Sequence, residues 1–474
     1  MDKIIKELSN NANIKVIDIN LDKIECKLIF HIFLSDIKLY NMYFRDKITR
    51  DNIYDLDKVY PGVYYKGNFI TNEFLSSLFN GNIILITKEN EKYIPYLIIC
   101  PQPIGRSISD SIHEPANLVG ARDGFVESIE INQSLIQRRI KSDSLYTERL
   151  IIGKRGNTVI NVIYIKDIVK KTYVNEVINK ITAMNIDVIN SIKDIALKFE
   201  KNSLFPVTAE IGSPEIAVED LLEGRIIILV DQIPIALALP VDISYFMTLK
   251  EGKHNKPLVT IYGRLLSIVC LIFSCYFLGI YAALINYHTD NLSLIAISEI
   301  KSSLRGSTLP LYLEFLFLIL IFDILRLSST KSPNATLQNV IVTVGGLLIG
   351  QNAVNSGFIS AFNLVISAIA YISGFAITNN QRFVNAISII RLIVLLSGMF
   401  LGILGVISSI IVITVHINKQ KSLQTLYLSP LIPMNKTSLF SHLFGSNIFK
   451  KIMRPKQNDI VDYDRGKLWE KFLL

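Results

Sequence analysis

The feature that most constrains this chain is the segment 258–416, where long apolar runs follow one another with very few charged residues. Most of these runs are close to the roughly 20 residues that a helix needs to cross a bilayer. The segment therefore predicts an α-helical domain that spans a membrane several times. The apolar runs lie at about 265–285, 309–327, 337–356, 358–378 and 389–415.

The composition reflects an apolar part joined to a polar part. Of 474 residues, 50% are hydrophobic and 19% are charged, and the mean hydropathy is +0.38. That mean is high for a soluble protein and low for a protein made only of transmembrane helices. We expect a first soluble subdomain at 1–105, a second at 106–257, the membrane domain at 258–416 and a polar basic tail at 417–474.

The soluble half has the pattern of an α/β fold. Residues 160–165 form a β-branched run, after which apolar residues recur at helical spacing. Gly224–Pro240 holds two apolar strands around a polar turn, which predicts a hairpin. The same order of short helix, glycine, strand, turn, strand and proline occurs at Phe74–Pro101. We therefore expect two related α/β subdomains, as an internal duplication would produce.

The chain is basic, with a net charge of +8. We interpret this charge as juxtamembrane loops that face anionic lipid and follow the positive-inside rule. Since the sequence has no RNA or DNA motif and no basic stripe with interleaved aromatic residues, membrane lipid is an expected partner and nucleic acid is not. The N-terminal sequence lacks the apolar core of a signal peptide, so we expect the soluble half to be cytoplasmic.

No pattern in the sequence predicts an enzyme. The six histidines are scattered, and the Walker, His-Glu-x-x-His and Gly-x-Ser-x-Gly motifs are missing. The cysteines form no Cys-x-x-Cys pair, so neither a disulfide framework nor a zinc site is expected. We therefore predict no catalytic activity, no metal and no other cofactor. The cysteines are Cys26, Cys100, Cys270 and Cys275.

The number of membrane crossings is left open by the sequence. Five spans after a cytoplasmic N-terminus place the C-terminus outside, whereas Lys419, Lys421 and Lys436 favour the inside. Four or six crossings would reconcile the two. The last run is long enough to tilt, to extend into water, or to hide a break at Gly402 or Gly405.

Three amide side chains lie close together in one of the most apolar runs, at Gln351, Asn352 and Asn355. Gln351 and Asn355 are four residues apart and share a helix face. Polar groups in hydrocarbon are costly, so each needs a partner or a watery cavity. Two interpretations stay open: hydrogen bonds across helix interfaces, or a pore lining in which amides solvate a cation.

Two pairs of glycines in the apolar runs predict close contacts between helices. Gly346 and Gly350 have the Gly-x-x-x-Gly spacing that allows close helix approach, and Gly398 and Gly402 repeat it.

Three charged residues lie in the run at 309–327. Asp323 and Arg326 are three apart and are expected to pair near a helix end. Glu314 either reaches the interface or, if buried, forms an ion or proton site.

One stretch of the soluble half is more specific than any of these patterns. Ala121–Leu145, with the sequence ARDGFVESIEINQSLIQRRIKSDSL, resembles the signature of the A subunits of GerA-type spore germinant receptors. The basic cluster at 138–141 is interpreted as a solvated or salt-bridged helix face, or alternatively as a bridge to another subunit or to lipid. The matching residues are Arg122, Gly124, Phe125, Val126, Glu127, Asn132, Leu135, Ile136, Arg138, Arg139 and Lys141.

The resemblance continues over about residues 100–467. FDILR at 322–326 and GGLLIGQNAVNSG at 345–357 are similar to family motifs, and Gln232 stands where the family usually has glycine. The other matching residues in the second subdomain are Glu223, Gly224, Arg225 and Asp231.

The resemblance implies a multi-pass protein of the spore inner membrane, with its N-terminal domain on the core side. It implies a transporter-like B subunit and a lipoprotein C subunit as partners in a complex that senses small nutrients and starts germination. It also implies that A subunits form a homo-oligomer around an ion-conducting pore. In that case Gln351, Asn352 and Asn355 would line the path, and Val354 would form an apolar gate.

Two other classes of function fit the apolar region. A secondary transporter also uses polar residues near the middle of the membrane, but it predicts inverted repeats, which we do not find in the sequence. A signalling scaffold without its own pore predicts that replacing the amides leaves ion flux unchanged.

Overall fold

The computed structural model describes part of the chain, and all structural statements concern that part. We call residues 13–247 the sheet region and residues 257–418 the apolar helical region. The described residues are 13–21, 24–42, 63–65, 77–89, 92–99, 123–200, 203–247, 257–291, 293–295, 297–298, 302, 308–331, 350–378, 380–429, 431–432 and 460–462.

The first half of the sheet region is a five-stranded antiparallel sheet with the order β1-β2-β4-β5-β3. A short helix, α1 (Ile37–Tyr40), follows the second strand. The strands are β1 (Ile14–Leu21), β2 (Ile24–His31), β3 (Val63–Tyr65), β4 (Ile83–Glu89) and β5 (Lys92–Ile98).

The second half contains another five-stranded antiparallel sheet, with the order β6-β7-β9-β10-β8. Its strands are β6 (Leu145–Ile152), β7 (Thr158–Ile165), β8 (Ala209–Ile211), β9 (Ile226–Val230) and β10 (Ala236–Leu239). Its helices are α2 (Ile129–Arg139), α3 (Lys171–Thr182), α4 (Ile192–Phe199), α5 (Pro214–Leu222) and α6 (Ile243–Met247).

The two sheets share one topology, since each strand of the first has a counterpart five strands later in the same place. Each central hairpin is preceded by a glycine in the left-handed region, Gly81 with φ 88° and Gly224 with φ 85°. Both hairpins were predicted from the sequence. These shared features are what the hypothesis of an internal duplication predicts.

The continuous apolar run of β9 is explained by helices on both faces of the second sheet. All five residues of β9 are buried. Because side chains alternate along a strand, Ile227 and Leu229 pack in the cluster with helices α2 and α5. Ile226, Ile228 and Val230 pack in the opposite cluster with α3 and α4. A strand covered on both faces has no polar side to expose.

The apolar helical region contains two helical segments long and apolar enough to cross a membrane, among the residues that are described: Leu258–Tyr287 and Gln381–Asn418. A short helix also covers 350–355. The helices are α7 (Pro257–Ile272), α8 (Leu278–Tyr287), α9 (Leu311–Lys331), α10 (Ala361–Phe375) and α11 (Gln381–Asn418), with a π-helical turn at Phe273–Phe277 between α7 and α8.

Helix α11 is folded back on itself at Gly402. A straight helix of 38 residues would be about 57 Å long. The first turn of the helix and the hairpin that follows its last turn nevertheless contact adjacent residues just before strand β8, because Arg382 bonds to Thr208 and Ser422 bonds to Val207. Gly402 has φ 62° and ψ −149°, which is not helical. The last apolar run therefore hides a break at Gly402, one of the alternatives that the sequence left open.

The tail after α11 returns to the second sheet. A short hairpin of β11 (Lys421–Ser422) and β12 (Thr425–Leu426) follows the helix. The Ser422 hydroxyl accepts from the Val241 backbone N–H at 3.0 Å, and the Tyr427 carbonyl accepts from the Ile243 N–H at 3.0 Å. The segment after α11 is thus bonded to the residues that directly follow strand β10.

Candidate functional site

The signature stretch forms helix α2 and the loop that leads into it. The side chain of Asn132 accepts from the Val126 N–H at 2.8 Å and donates to the Val126 carbonyl at 2.6 Å. Phe125 donates its backbone N–H to the Gly212 carbonyl beside strand β8, at 2.8 Å. These bonds hold the loop closed and attach it to the second sheet, which is a structural role.

The N-terminus of α2 contacts a residue of the distant hairpin in addition to its own N-cap residue. Ser128 is the N-cap, and an oxygen of the Asp231 carboxylate lies 3.4 Å from the Ile129 backbone N–H. An acidic group is favoured there by the free N–H groups and the helix dipole. Gln232 donates its N–H to the Glu127 carbonyl at 2.8 Å. The signature helix and the hairpin after β9 are therefore one unit.

The basic cluster of the signature is bonded within the protein. Arg139 contacts both carboxylate oxygens of Asp123, at 2.8 and 2.6 Å. The Lys141 ammonium donates to the Asn80 side chain at 2.7 Å, which links α2 to the first sheet. Burial lowers the pKa of the half-buried Arg138. Arg122 lies outside the described residues.

Arg225 is a buried cation with two carboxylate partners. Its guanidinium lies 2.9 Å from Asp220 and 2.5 Å from Glu223, and it donates to the Pro240 carbonyl at 3.2 Å. The Tyr245 ring stacks against it at 4.8 Å. Burial acts to lower the pKa of Arg225, but the two carboxylates outweigh it and the pKa is raised. The charge is fully paired, which buried ions require.

The signature glycine Gly224 leaves room for the C-terminal tail. A Cβ atom at this position would lie 2.3 Å from a methyl group of Ile460. The next residue, Val461, donates its backbone N–H to the Ile168 carbonyl at 2.8 Å. The tail therefore packs on the turn between α5 and β9.

An ionic cluster joins the second sheet to the start of α11. Arg382 lies 2.8 Å from the carboxylate of Glu200 and 3.1 Å from that of Glu210. It also donates to the Thr208 carbonyl at 3.1 Å. We call this set, Arg382 with Glu200, Glu210 and Thr208, the joint cluster. It bonds the first turn of α11 to strand β8 and to the residues just before it.

Aromatic rings pack beside the joint cluster. The Phe383 ring lies 5.2 Å from Phe205 and 5.1 Å from Phe246, and Phe205 stacks on Tyr427 at 5.9 Å. All four side chains are buried. The sheet, the start of α11 and the tail thus share one hydrophobic core.

The helix at 350–355 presents its amides outwards from the chain. Gln351, Asn352 and Asn355 are exposed, and Val354 is half-buried. No hydrogen bond from these three amide side chains to another described residue is formed, whereas Ser356 bonds to the Ala353 carbonyl of its own helix. The amides are therefore not sealed inside the single chain.

The glycines predicted to pack helices have different surroundings. A Cβ atom at Gly350 would meet Leu364 of α10 at 3.4 Å, and one at Gly398 would lie 2.5 Å from the Gly279 carbonyl of α8. Gly346 lies outside the described residues. Gly402 is at the break in α11, and a Cβ atom there would lie 3.2 Å from the Tyr287 ring of α8. Both glycines of this pair therefore lie where α11 comes close to α8.

Glu314 is fully buried near the start of α9, with 0% of its surface exposed. Its side chain therefore does not reach the surface of the single chain. Its carboxylate accepts the backbone N–H of Ser360 and, at 3.0 Å, the side-chain amide of Asn363. Both donors belong to the first turn of α10, where backbone N–H groups lack partners within the helix.

Three more charged residues of the apolar helical region, Asp323, Arg326 and Arg391, are bonded within the chain. Asp323 lies 3.3 Å from Arg326, which donates to the Ser388 hydroxyl at 3.2 Å. Arg391 of α11 was not singled out from the sequence. It donates to the backbone carbonyl and hydroxyl of Ser274 in the π-helical turn, at 2.9 and 2.7 Å. Its signal was a lone arginine within an apolar run.

The described residues contain no group of three or more side chains suited to a metal ion.

Residues 2–457 match the Bacillus/Clostridium GerA spore germination protein family. Spore germination protein XA of Bacillus anthracis is 34% identical over 400 residues, which cover 84% of this chain and 80% of that protein. Spore germination protein GerQA of Bacillus cereus is 26% identical over 427 residues, covering 89% and 85%.

One solved structure aligns with part of the chain. It is the N-terminal domain of the A subunit of the Bacillus megaterium spore germinant receptor GerK3, at 20% identity and a TM-score of 0.36, covering 50% of this chain and 92% of that one. The family match covers nearly the whole length, and a relative above 30% identity covers most of it. The chain therefore belongs to the GerA spore germination protein family, as its signature predicted.

Proposed function

We propose that this chain is the A subunit of a nutrient-responsive germinant receptor in the spore inner membrane, and that several copies assemble around a cation pore. The family membership supports the first part of the proposal. The B and C subunits that the signature implied are the proposed partners, and the sheet region is proposed to lie on the core side of the membrane.

The observation that supports the pore is the outward orientation of the amides at 350–355. Gln351, Asn352 and Asn355 are exposed on a chain whose neighbouring helices are apolar. Exposed amides in hydrocarbon are costly. They are stabilised only if another subunit or water covers them, and a helix shared by identical neighbours around an axis provides both. Amide oxygens can then replace part of a cation's hydration shell.

The folded-back α11 supports an even number of membrane crossings. Its first turn contacts Thr208, and the hairpin just after its last turn contacts Val207, both directly before strand β8. We infer that the N-terminal sheet region and the C-terminal tail lie on the same side of the membrane. The lysines that follow α11 favour that side by the positive-inside rule.

A substitution at the proposed gate tests the function. Replacing Val354 by Ala widens an apolar constriction, which weakens its ability to exclude water. We expect spores with this substitution to release potassium without nutrient. Val365→Ala is the matched control, because Val365 is an exposed apolar residue on α10.

The alternatives predict different outcomes. Unchanged dormancy and an unchanged nutrient response of Val354→Ala spores would contradict the gate. Replacing all three amides by alanine should abolish ion flux in a pore, whereas a scaffold without a pore would tolerate the change. A secondary transporter would move its substrate without the steady cation flux that the pore predicts.

A further inference from the structure

Glu314 occupies a position in the apolar helical region that the proposed pore does not itself use. It is a fully buried carboxylate on α9, and both of its bonded partners are neutral donors on α10. Burying an unpaired carboxylate costs several kcal/mol or more. A residue of this kind is retained only where its surroundings stabilise the charge.

The start of α10 supplies that stabilisation. The helix has 15 residues with Ser360 as its N-cap, and its first turn carries free N–H groups and the positive end of the helix dipole. One carboxylate oxygen of Glu314 accepts the Ser360 N–H, and the other accepts the Asn363 amide. Glu314 therefore binds the end of α10 from a different helix.

The same end of α10 adjoins the helix at 350–355, which carries Gln351, Asn352 and Asn355 and which we call the amide helix. The helix at 350–355 ends in a turn in which Gly357 donates to the Val354 carbonyl at 3.0 Å and Phe358 donates to the Ala353 carbonyl at 2.9 Å. Gly357 has φ 67°. This is the usual glycine-terminated end of a helix. Only five residues, 356–360, separate the amide helix from α10.

Further contacts connect this turn to the α9 side of the molecule. Thr308 donates its N–H to the Gly357 carbonyl at 2.8 Å, and the Phe317 and Phe358 rings lie 5.1 Å apart. Tyr281 of α8 donates its hydroxyl to the Asn363 side chain at 3.0 Å. A chain of hydrogen bonds thus runs from α8 through Asn363 to Glu314.

We propose that Glu314 is a positioning residue that fixes the turn at 356–360 and thereby the orientation of the amide helix. Its carboxylate joins α9 to the N-terminus of α10, and Tyr281 joins α8 to the same point. A shift of α8 or α9 then moves the amide helix. The expected effect on ion flux rests on the proposed pore, whereas the positioning itself does not.

Backbone hydrogen exchange of the full-length chain in lipid nanodiscs tests the positioning. Glu314→Gln keeps the shape of the side chain but removes its charge. One of its two donors, the Ser360 N–H or the Asn363 amide, then faces an NH2 group that cannot accept a hydrogen bond. We expect exchange of amides 356–363 to be at least about tenfold faster in this variant, because the end of α10 opens more often. Asp290→Asn is the matched control, since Asp290 is an exposed carboxylate outside α9.

A second variant protects the test against misfolding. Tyr281→Phe removes one hydroxyl and leaves the two bonds of Glu314 intact, so a smaller acceleration in the same amides is expected. If both variants fold and exchange at the wild-type rate in 356–363, the positioning role is overturned. Acceleration in both, with Asp290→Asn unchanged, supports it.

Potassium flux from liposomes separates this inference from the pore itself. If both are correct, Glu314→Gln raises flux without nutrient several-fold relative to Asp290→Asn. Faster exchange at 356–363 with no measurable flux in any variant would support the positioning role and contradict the pore.

Discussion

Asn132 bonds twice to the backbone of Val126, and Asp231 caps the helix that carries Asn132. Gly224 touches Ile460, more than two hundred residues further along the chain. At the scale of single residues, the described residues of the signature thus form contacts that hold separate parts of the fold together. The sequence pattern located these residues, but it did not predict their roles, because each role depends on a partner distant in sequence.

Gln232 has a backbone conformation that favours glycine. It lies in the hairpin where the family usually has glycine, and its φ is 66°. The left-handed conformation costs a non-glycine residue about 1 kcal/mol. The side chain is exposed, so its loss removes little packing.

We therefore expect Gln232→Gly to raise the free energy of unfolding by about 0.5 kcal/mol, since the greater freedom of unfolded glycine offsets part of the gain. Thermal unfolding of the full-length protein in detergent measures the effect. Gln232→Ala keeps the backbone cost and should give no increase. Equal midpoints for the glycine and alanine variants would show that the backbone is not strained there.

At the scale of elements, the strands of the second sheet were predictable and the shape of α11 was not. The hairpin of β9 and β10 has continuous apolar runs around a polar turn, and runs of that kind belong to covered strands. Helix α11 is apolar on both sides of Gly402, so its hydrophobic pattern does not distinguish a long helix from two short ones. In the structure the break is at Gly402, whereas by sequence Gly405 was an equally good candidate.

Substitution of Gly402 should destabilise the folded-back helix. Its φ of 62° and ψ of −149° fall in a region that is essentially restricted to glycine, and other residues pay about 1–3 kcal/mol there. An added Cβ would also lie 3.2 Å from the Tyr287 ring. We expect Gly402→Ala to lower the thermal midpoint of the full-length protein in detergent.

Gly263→Ala provides the control for that measurement. Gly263 lies in helix α7, and a Cβ atom there would meet nothing within 4 Å. Alanine is favoured over glycine in a helix by about 1 kcal/mol, so this variant should be as stable as wild type or more stable. The break at Gly402 would be contradicted if both variants melted alike.

At the scale of the whole molecule, the joint cluster connects the sheet region to the apolar helical region. Arg382 forms ion pairs with both Glu200 and Glu210, and all three side chains are at most 19% exposed. Removing one partner of a largely buried ion pair leaves an uncompensated charge, which costs on the order of 3 kcal/mol. We expect Arg382→Gln to lower the thermal midpoint markedly.

A double-mutant cycle identifies the cause of that loss. Glu200→Gln in the Arg382→Gln background removes one of the stranded carboxylates, so part of the stability should return. If Arg382→Gln melts at the wild-type temperature, the joint cluster does not hold the two regions together.

The candidate site was predictable in composition and not in arrangement. The sequence identified the amides at 350–355 and the carboxylate of Glu314 as costly in lipid. It did not predict that Glu314 binds the start of α10, because that contact joins residues 46 apart in the chain. Arg391 was missed because a single arginine gives no spacing pattern, and its partner Ser274 is available through the π-helical turn.

We propose that the amide helix lines a path for cations between copies of this chain. A single cysteine is placed at 355, by Asn355→Cys, in a chain whose native cysteines are replaced by alanine and which also carries Val354→Ala, so that the proposed pore conducts without nutrient. Ile372→Cys is the control, because Ile372 is an apolar residue of α10 that is 65% exposed. Potassium flux from liposomes is then measured before and after a charged thiol reagent is added. We expect the reagent to reduce potassium flux by at least about half in the Asn355→Cys chain, because the modified side chain blocks the path, and to leave flux in the Ile372→Cys chain unchanged. Full modification at position 355 with undiminished flux would show that the amide helix does not line the path.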